Sequence, residues 1–152
     1  MDKDLAEMRR ALVPAVQGVA RGWRVMADAA LAEMGVSDSA GWCLVTIDRL
    51  GPDPTQAELA EAIGIAPPSL VRTIDRLQAA GLVERSPHPD DGRAKIVALT
   101  PTGSALAGRI EERLETMREA LMKDVPDGVI ELALWLLDTM THRIERRRGG
   151  VD

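Results

Sequence analysis

Residues 55–81 read TQAELAEAIGIAPPSLVRTIDRLQAAG, and the punctuation of this stretch decides the fold. Thr55 and Glu58 stand at capping-box spacing, in which the hydroxyl and the carboxylate each satisfy one amide orphaned at a helix start. A short helix from about Thr55 to Ile63 is predicted. Gly64 turns the chain, and Ile65 is an apolar turn residue. Pro67-Pro68 suit the first turn of a second helix, where the amide donors they lack would have no partner. That helix, Pro67 to Ala80, carries Leu70, Val71, Ile74 and Leu77 inward, and Gly81 closes it.

Downstream, Val83 opens a short strand, Pro87 to Gly92 form a polar turn, and Ala94 to Leu99 alternate as a second strand, so the pair is a hairpin. Two short helices joined by a tight glycine turn and followed by a hairpin describe a helix-turn-helix with a wing. Packing the first helix across the second leaves Ser69, Arg72, Thr73 and Arg76 outside, on a rod whose dimensions suit the major groove. Arginine pairs with guanine edges or phosphates, while Ser and Thr donate to phosphates. The hairpin tip carries His88, Asp91, Arg93 and Lys95 toward the neighbouring minor groove.

The flanks read as helices. Met8, Leu12, Val16, Val19, Trp23, Met26, Ala30 and Met34 follow at spacings of three or four along one long helix, which Pro14 either kinks or begins and Gly35 ends. Ser37 to Ser39 offer caps for a second helix bearing Trp42, Leu44, Val45, Ile47 and Leu50, before Gly51-Pro52-Asp53-Pro54 breaks the chain. Thr100-Pro101 launches a helix with Leu106, Ile110, Leu114, Met117 and Leu121 on one face. A final helix carries Val129, Leu132, Leu136, Met140 and Ile144 and ends in Arg146-Arg147-Arg148. The expected fold class is mainly α with a small β-hairpin wing.

Length and composition bound the function. The 152 residues suffice for one compact unit, and 45% apolar with 28% charged residues is ordinary for a soluble protein. No apolar run approaches the roughly 20 residues of a membrane span. The start Met1-Asp2-Lys3-Asp4 lacks the regions of a signal peptide, so a cytoplasmic location and no membrane partner are expected. With neither Phe nor Tyr, the core must come from aliphatic residues, Met and the three Trp.

The motifs Gln56-Ala57-Glu58-Leu59-Ala60, Ile63-Gly64-Ile65, Val71 with Asp75-Arg76-Leu77, Gly81-Leu82-Val83-Glu84-Arg85, and Asp91-x-Arg93 followed by Leu99-Thr100 and Gly103 together resemble the MarR family of bacterial regulators. The resemblance implies a homodimer, with residues 1–36 and 104–148 as the helical dimerisation region and 37–103 as the winged helix-turn-helix lobe. It also implies that Arg93 enters the minor groove while Asp91 orients it. A ligand-responsive repressor of a pseudo-palindromic operator is expected, released by a small, aromatic or phenolic acid. By resemblance, the effector cleft would be lined by the first and second helices, which contain Trp23, Met26, Trp42 and Cys43. Trp23 and Trp42 equally suit a core that lacks every other aromatic. Two positions depart from the pattern: Gly92 replaces a common second arginine, and Ala66 replaces the usual Ser or Thr cap.

A net charge of −5 opposes a nucleic-acid partner, and between Ala66 and Lys95 five basic residues barely exceed four acidic ones. Binding must then depend on where the cations point. The alternative is a winged-helix protein-interaction module without sequence-specific DNA binding. Asp75 is expected to form a salt bridge or cap local structure, and Arg85 either touches phosphate or pairs with Glu84. His88, His142 and Cys43 are too scattered for a zinc site, and Cys43 reads as a buried, inert thiol rather than a redox sensor. No catalytic constellation and no cofactor motif is present, so an enzyme is not expected.

Overall fold

The computed structural model describes residues 2–91 and 94–150. In chain order the elements are α1 (Asp2–Glu33), α2 (Asp38–Leu50), α3 (Gln56–Ile63), α4 (Pro67–Ala79), β1 (Val83–Pro87), β2 (Lys95–Leu99), α5 (Pro101–Met122) and α6 (Asp127–Arg148). This is the mainly helical, hairpin-bearing class that the sequence predicts. Among the described residues no helix is long and apolar enough to cross a membrane.

The chain divides into two compact units, Met1–Glu115 and Thr116–Asp152. The core of the first is built from Ala27, Ala30 and Leu31 of α1, Leu44, Val45 and Ile47 of α2, Leu59 of α3, and Leu70, Ile74 and Leu77 of α4. Val83, Val97, Ile110 and Leu114 complete it. Only the last third of α1 enters this core. Upstream, Met8, Val16 and Val19 of the predicted stripe lie exposed, as does Met26 beside the buried residues. The helix runs through Pro14, which is therefore not its beginning.

The helix-turn-helix forms for local reasons. At α3, the Thr55 hydroxyl accepts from the Glu58 amide at 3.2 Å and the Glu58 carboxylate accepts from the Thr55 amide at 2.8 Å, the reciprocal pair the sequence predicts. Gly64, at φ +75°, takes the left-handed conformation that lets the amide of Ile65 reach back to the Ala60 carbonyl. Residues 64–66 then connect directly to α4. Ala66 supplies no side-chain cap to α4, whose first residues are the prolines that need no amide partner. Val71 departs from its predicted inward position: at 39% exposure it lies outside the buried stripe of Leu70, Ile74 and Leu77.

The hairpin pairs β1 and β2 antiparallel, from Val83 opposite Leu99 to Pro87 opposite Lys95. Thr55 adds a bridge to Ile96, and the Val97 amide donates to the Pro54 carbonyl at 3.0 Å. The chain entering α3 thus extends the sheet edge, a pairing between distant segments that sequence periodicity does not announce.

Thr100 joins three elements. Its hydroxyl donates to the Gly81 carbonyl at 2.7 Å and accepts from the Gly103 amide at 3.0 Å, while its own amide donates to Leu82. A side chain at position 103 would place Cβ 1.9 Å from the Leu82 carbonyl oxygen, so only glycine permits this approach. In the second unit, α6 buries none of its residues, and Val129, Leu132, Trp135 and Ile144 are exposed.

Candidate nucleic-acid interface

α4 is held from two sides: α3 packs across it, and β1 is fastened to it by Arg85. The Arg85 guanidinium meets the Asp75 carboxylate at 2.5 Å and the Gln78 side-chain carbonyl at 2.7 Å. Arg85 therefore turns toward the helix and pairs with neither Glu84 nor open solvent. The charge of Asp75 is answered within the lobe instead of facing an approaching anion.

With its inner face so engaged, α4 presents Arg72 and Arg76 as exposed side chains, with Ser69 half-buried beside them. Lys95 is exposed at the start of β2. Among the described residues, none of these three cations forms an ion pair. Thr73 is a correction. It was expected outside, but it is 8% exposed and its hydroxyl donates to the Ser69 carbonyl one turn back at 3.2 Å. A hydroxyl that satisfies itself on its own helix can sit within an apolar stripe, and this one does.

At the hairpin tip the Ala94 amide donates to the Asp91 carbonyl, and the Asp90 amide donates to His88 Nδ1 at 3.1 Å. Asp91 is exposed there. Arg93, expected in the minor groove, lies outside the described residues together with Gly92. A cleft opens between the start of α3 and the hairpin, walled by Gln56, Val71, Arg85 and Lys95. Gln56 Nε2 is buried in this structure without a hydrogen bond, a donor that sequence reasoning missed. An Ala-rich helix start gives no hint that the side chain beside the cap is stranded.

The four residues expected to line an effector cleft divide differently. Trp42 is half-buried on α2, and its indole N–H donates to the Asp28 carboxylate of α1 at 2.7 Å. Trp23 is half-buried and Met26 exposed. Cys43 has no exposed surface, and burial pushes its thiol up to about 12, the behaviour of an inert core sulfur. A cleft of about 390 Å³ lies between the turn after α1, α4 and α5, lined by Ser37, Leu44, Thr73, Arg76, Leu77 and Leu106 among others. None of the four predicted residues lines it. Arg76 contributes to its wall.

Residues 34–94 match the model of the MarR family. The crystal structure of the transcriptional regulator PA3341 is similar at 29% identity with a TM-score of 0.82, covering 89% of this chain and 98% of the other. A mutant of MarR from E. coli complexed with operator DNA is 24% identical with a TM-score of 0.70, over 86% of this chain and 93% of the other. BldR from Sulfolobus solfataricus is 23% identical with a TM-score of 0.76, over 89% and 95%. With its capped helix-turn-helix and hairpin wing, this chain resembles the MarR family over residues 34–94 and has the winged-helix fold of the solved transcriptional regulators.

Proposed function

We propose that the protein binds duplex DNA as a homodimer and regulates transcription as a ligand-responsive repressor. The observation that carries this reading is the outward pair Arg72 and Arg76 on a helix whose stripe of Leu70, Ile74 and Leu77 is buried. Lys95 stands on the adjoining hairpin. Ser69, half-buried beside the arginines, supplies a neutral donor for phosphates. Pairing Asp75 with Arg85 leaves Arg72, Arg76 and Lys95 as the cations this reading assigns to DNA.

Dimerisation is supported by apolar surface that a lone chain leaves wet: Met8, Val16 and Val19 on α1, and Val129, Leu132 and Ile144 on α6. Two-fold protein symmetry then calls for a pseudo-palindrome with half-sites about 10 bp apart, one helical turn. For the effector, a small aromatic or phenolic acid suits the cleft beside α4, where leucines offer apolar walls and Arg76 a counter-charge. A ligand drawing Arg76 inward would weaken a DNA contact, provided it binds that form more tightly than the DNA-ready one.

The test is salt-dependent retention of fragments from the gene's own upstream region, followed by titration with aromatic acids. Sequence-selective binding lost on Arg72→Ala plus Arg76→Ala supports the proposal. Indifference to both substitutions overturns it and favours a protein-interaction module.

A further inference from the structure

The joint between α1 and α2 holds a closed polar triangle. The Trp42 indole N–H donates to Asp28 Oδ1 at 2.7 Å, and the same oxygen lies 3.3 Å from Arg24 Nε. The Arg24 guanidinium carbon sits 4.5 Å from the centroid of the Trp42 ring. Each group thereby answers the other two: the carboxylate neutralises the guanidinium, the indole donor finds a charged acceptor, and the ring face meets a cation.

Beneath this rim the joint is apolar. Gly41 of α2 faces Leu31 of α1 so closely that a Cβ at position 41 would stand 2.5 Å from a Leu31 methyl. Apolar contact of this kind brings two helices together but is non-directional, leaving rotation and tilt weakly fixed. The indole-to-carboxylate bond is directional. Joining Trp42 of α2 to Asp28 of α1, it adds an angular constraint to the Leu31–Gly41 contact.

α1 carries the exposed apolar stripe, and α2 opens the lobe that presents α4. We propose that the Arg24–Asp28–Trp42 triangle sets the angle at which the lobe is carried on α1, and through it the half-site spacing the protein accepts. The inference rests on the dimeric DNA-binding reading above. Asp28 and Trp42 are positioning residues, acting on spacing through the joint and touching no DNA.

The experiment uses the full chain and an operator fragment retained from its own upstream region, compared with the same fragment altered by one base pair between the half-sites. The wild type is expected to favour the native spacing by about tenfold or more, within the range of ordinary coupling energies. In Asp28→Ala and Trp42→Phe that preference should fall to about threefold or less, while affinity for a single half-site stays within about twofold of wild type. Thermal melts identify any variant that fails to fold. Asp28, at the half-buried rim, carries the test if Trp42→Phe does not fold. Undiminished spacing preference in a folded variant, or none in a wild type that binds DNA, overturns this inference alone. A wild type that retains no duplex overturns the DNA-binding reading and this inference with it.

Discussion

Arg85 of β1 closes on Asp75 of α4 at 2.5 Å and on Gln78 at 2.7 Å, so the wing strand is fastened to α4 by a side chain that is itself largely covered. Exposed ion pairs contribute about 0–1 kcal/mol to stability, so the effect of this one belongs to placement rather than to folding. It holds hairpin and helix as one body, which, under the DNA-binding proposal, would make simultaneous contact in two grooves cheap in entropy.

Replacing Arg85 by Ala should therefore leave the melting temperature within a few degrees of wild type while lowering operator affinity about tenfold. A phosphate contact at Arg85 would give a different signature, a reduction of about one in the slope of log K against log salt. Titrations at several salt concentrations separate the two. An unchanged affinity, or a slope reduced by one, removes the positioning role.

Gly103→Ala is the substitution whose cost the backbone dictates. The new Cβ would stand 1.9 Å from the Leu82 carbonyl oxygen, and no rotamer change relieves a clash between backbone and Cβ. The first turn of α5 must separate from the turn after α4, taking the Thr100 hydrogen bonds with it. A loss of roughly 3 kcal/mol is expected, at the upper end for overpacking. Chemical denaturation measures it, and a change under about 1 kcal/mol would show that the junction yields.

How far the sequence disclosed this architecture depends on the range of each interaction. The capping box at Thr55 and Glu58, the glycine turn at Gly64 and the existence of the hairpin were legible because their determinants lie within a few residues. Thr73 was misplaced since its hydroxyl closes on Ser69, a solution that hydropathy counts as polar and therefore outward. The ion pair of Arg85 with Asp75, the bond of Trp42 to Asp28 and the bridge from Thr55 to Ile96 join residues ten or more apart. Such pairings depend on how the elements pack, so residue spacing alone offered no signal. The exposure of Arg72 and Arg76 followed from the apolar stripe of α4 alone, whereas the unbonded Gln56 amide emerged only with the hairpin beside it.

Ala66 leaves the start of α4 without a side-chain cap. Its backbone is already extended, at φ −65° and ψ 137°, the conformation a capping residue adopts. Pro67 and Pro68 offer no amide and the Ser69 amide already donates to the Ala66 carbonyl at 2.9 Å, so Ala66→Ser should change stability by well under the roughly 1 kcal/mol of an ordinary cap. Differential scanning calorimetry should show a melting point within about 2 °C of wild type, and a rise beyond about 4 °C would mean that the Ser69 amide leaves the carbonyl for the hydroxyl.

Glu58 makes part of the stability pH-dependent. The Thr55 amide, and after it the Thr55 hydroxyl, hold the carboxyl below its ordinary value of 4.5 by donating to the ionised form. A group with a depressed folded-state value stabilises the native state above its unfolded value, and that contribution disappears as pH falls through the folded value. Glu58→Gln keeps an acceptor but has no proton to gain. The variant should be less stable than wild type at pH 7, with the gap closing as the pH is taken below about 4.5. Denaturation midpoints across that range check the sign.

Cys43 supplies the last test, because complete burial has both a chemical and an energetic consequence. With its thiol pushed up to about 12, almost no thiolate exists at pH 8, and no sulfur surface is exposed to a reagent. A disulfide reagent should therefore label the native protein only as fast as it opens, and label it fully in denaturant. Energetically the thiol acts as a small hydrophobe, so Cys43→Ser would bury a hydroxyl among apolar side chains and cost about 1–3 kcal/mol. Cys43→Ala removes only the sulfur and should cost less. Rapid stoichiometric labelling of the folded protein would contradict the inert reading and reopen a sensory role for this thiol.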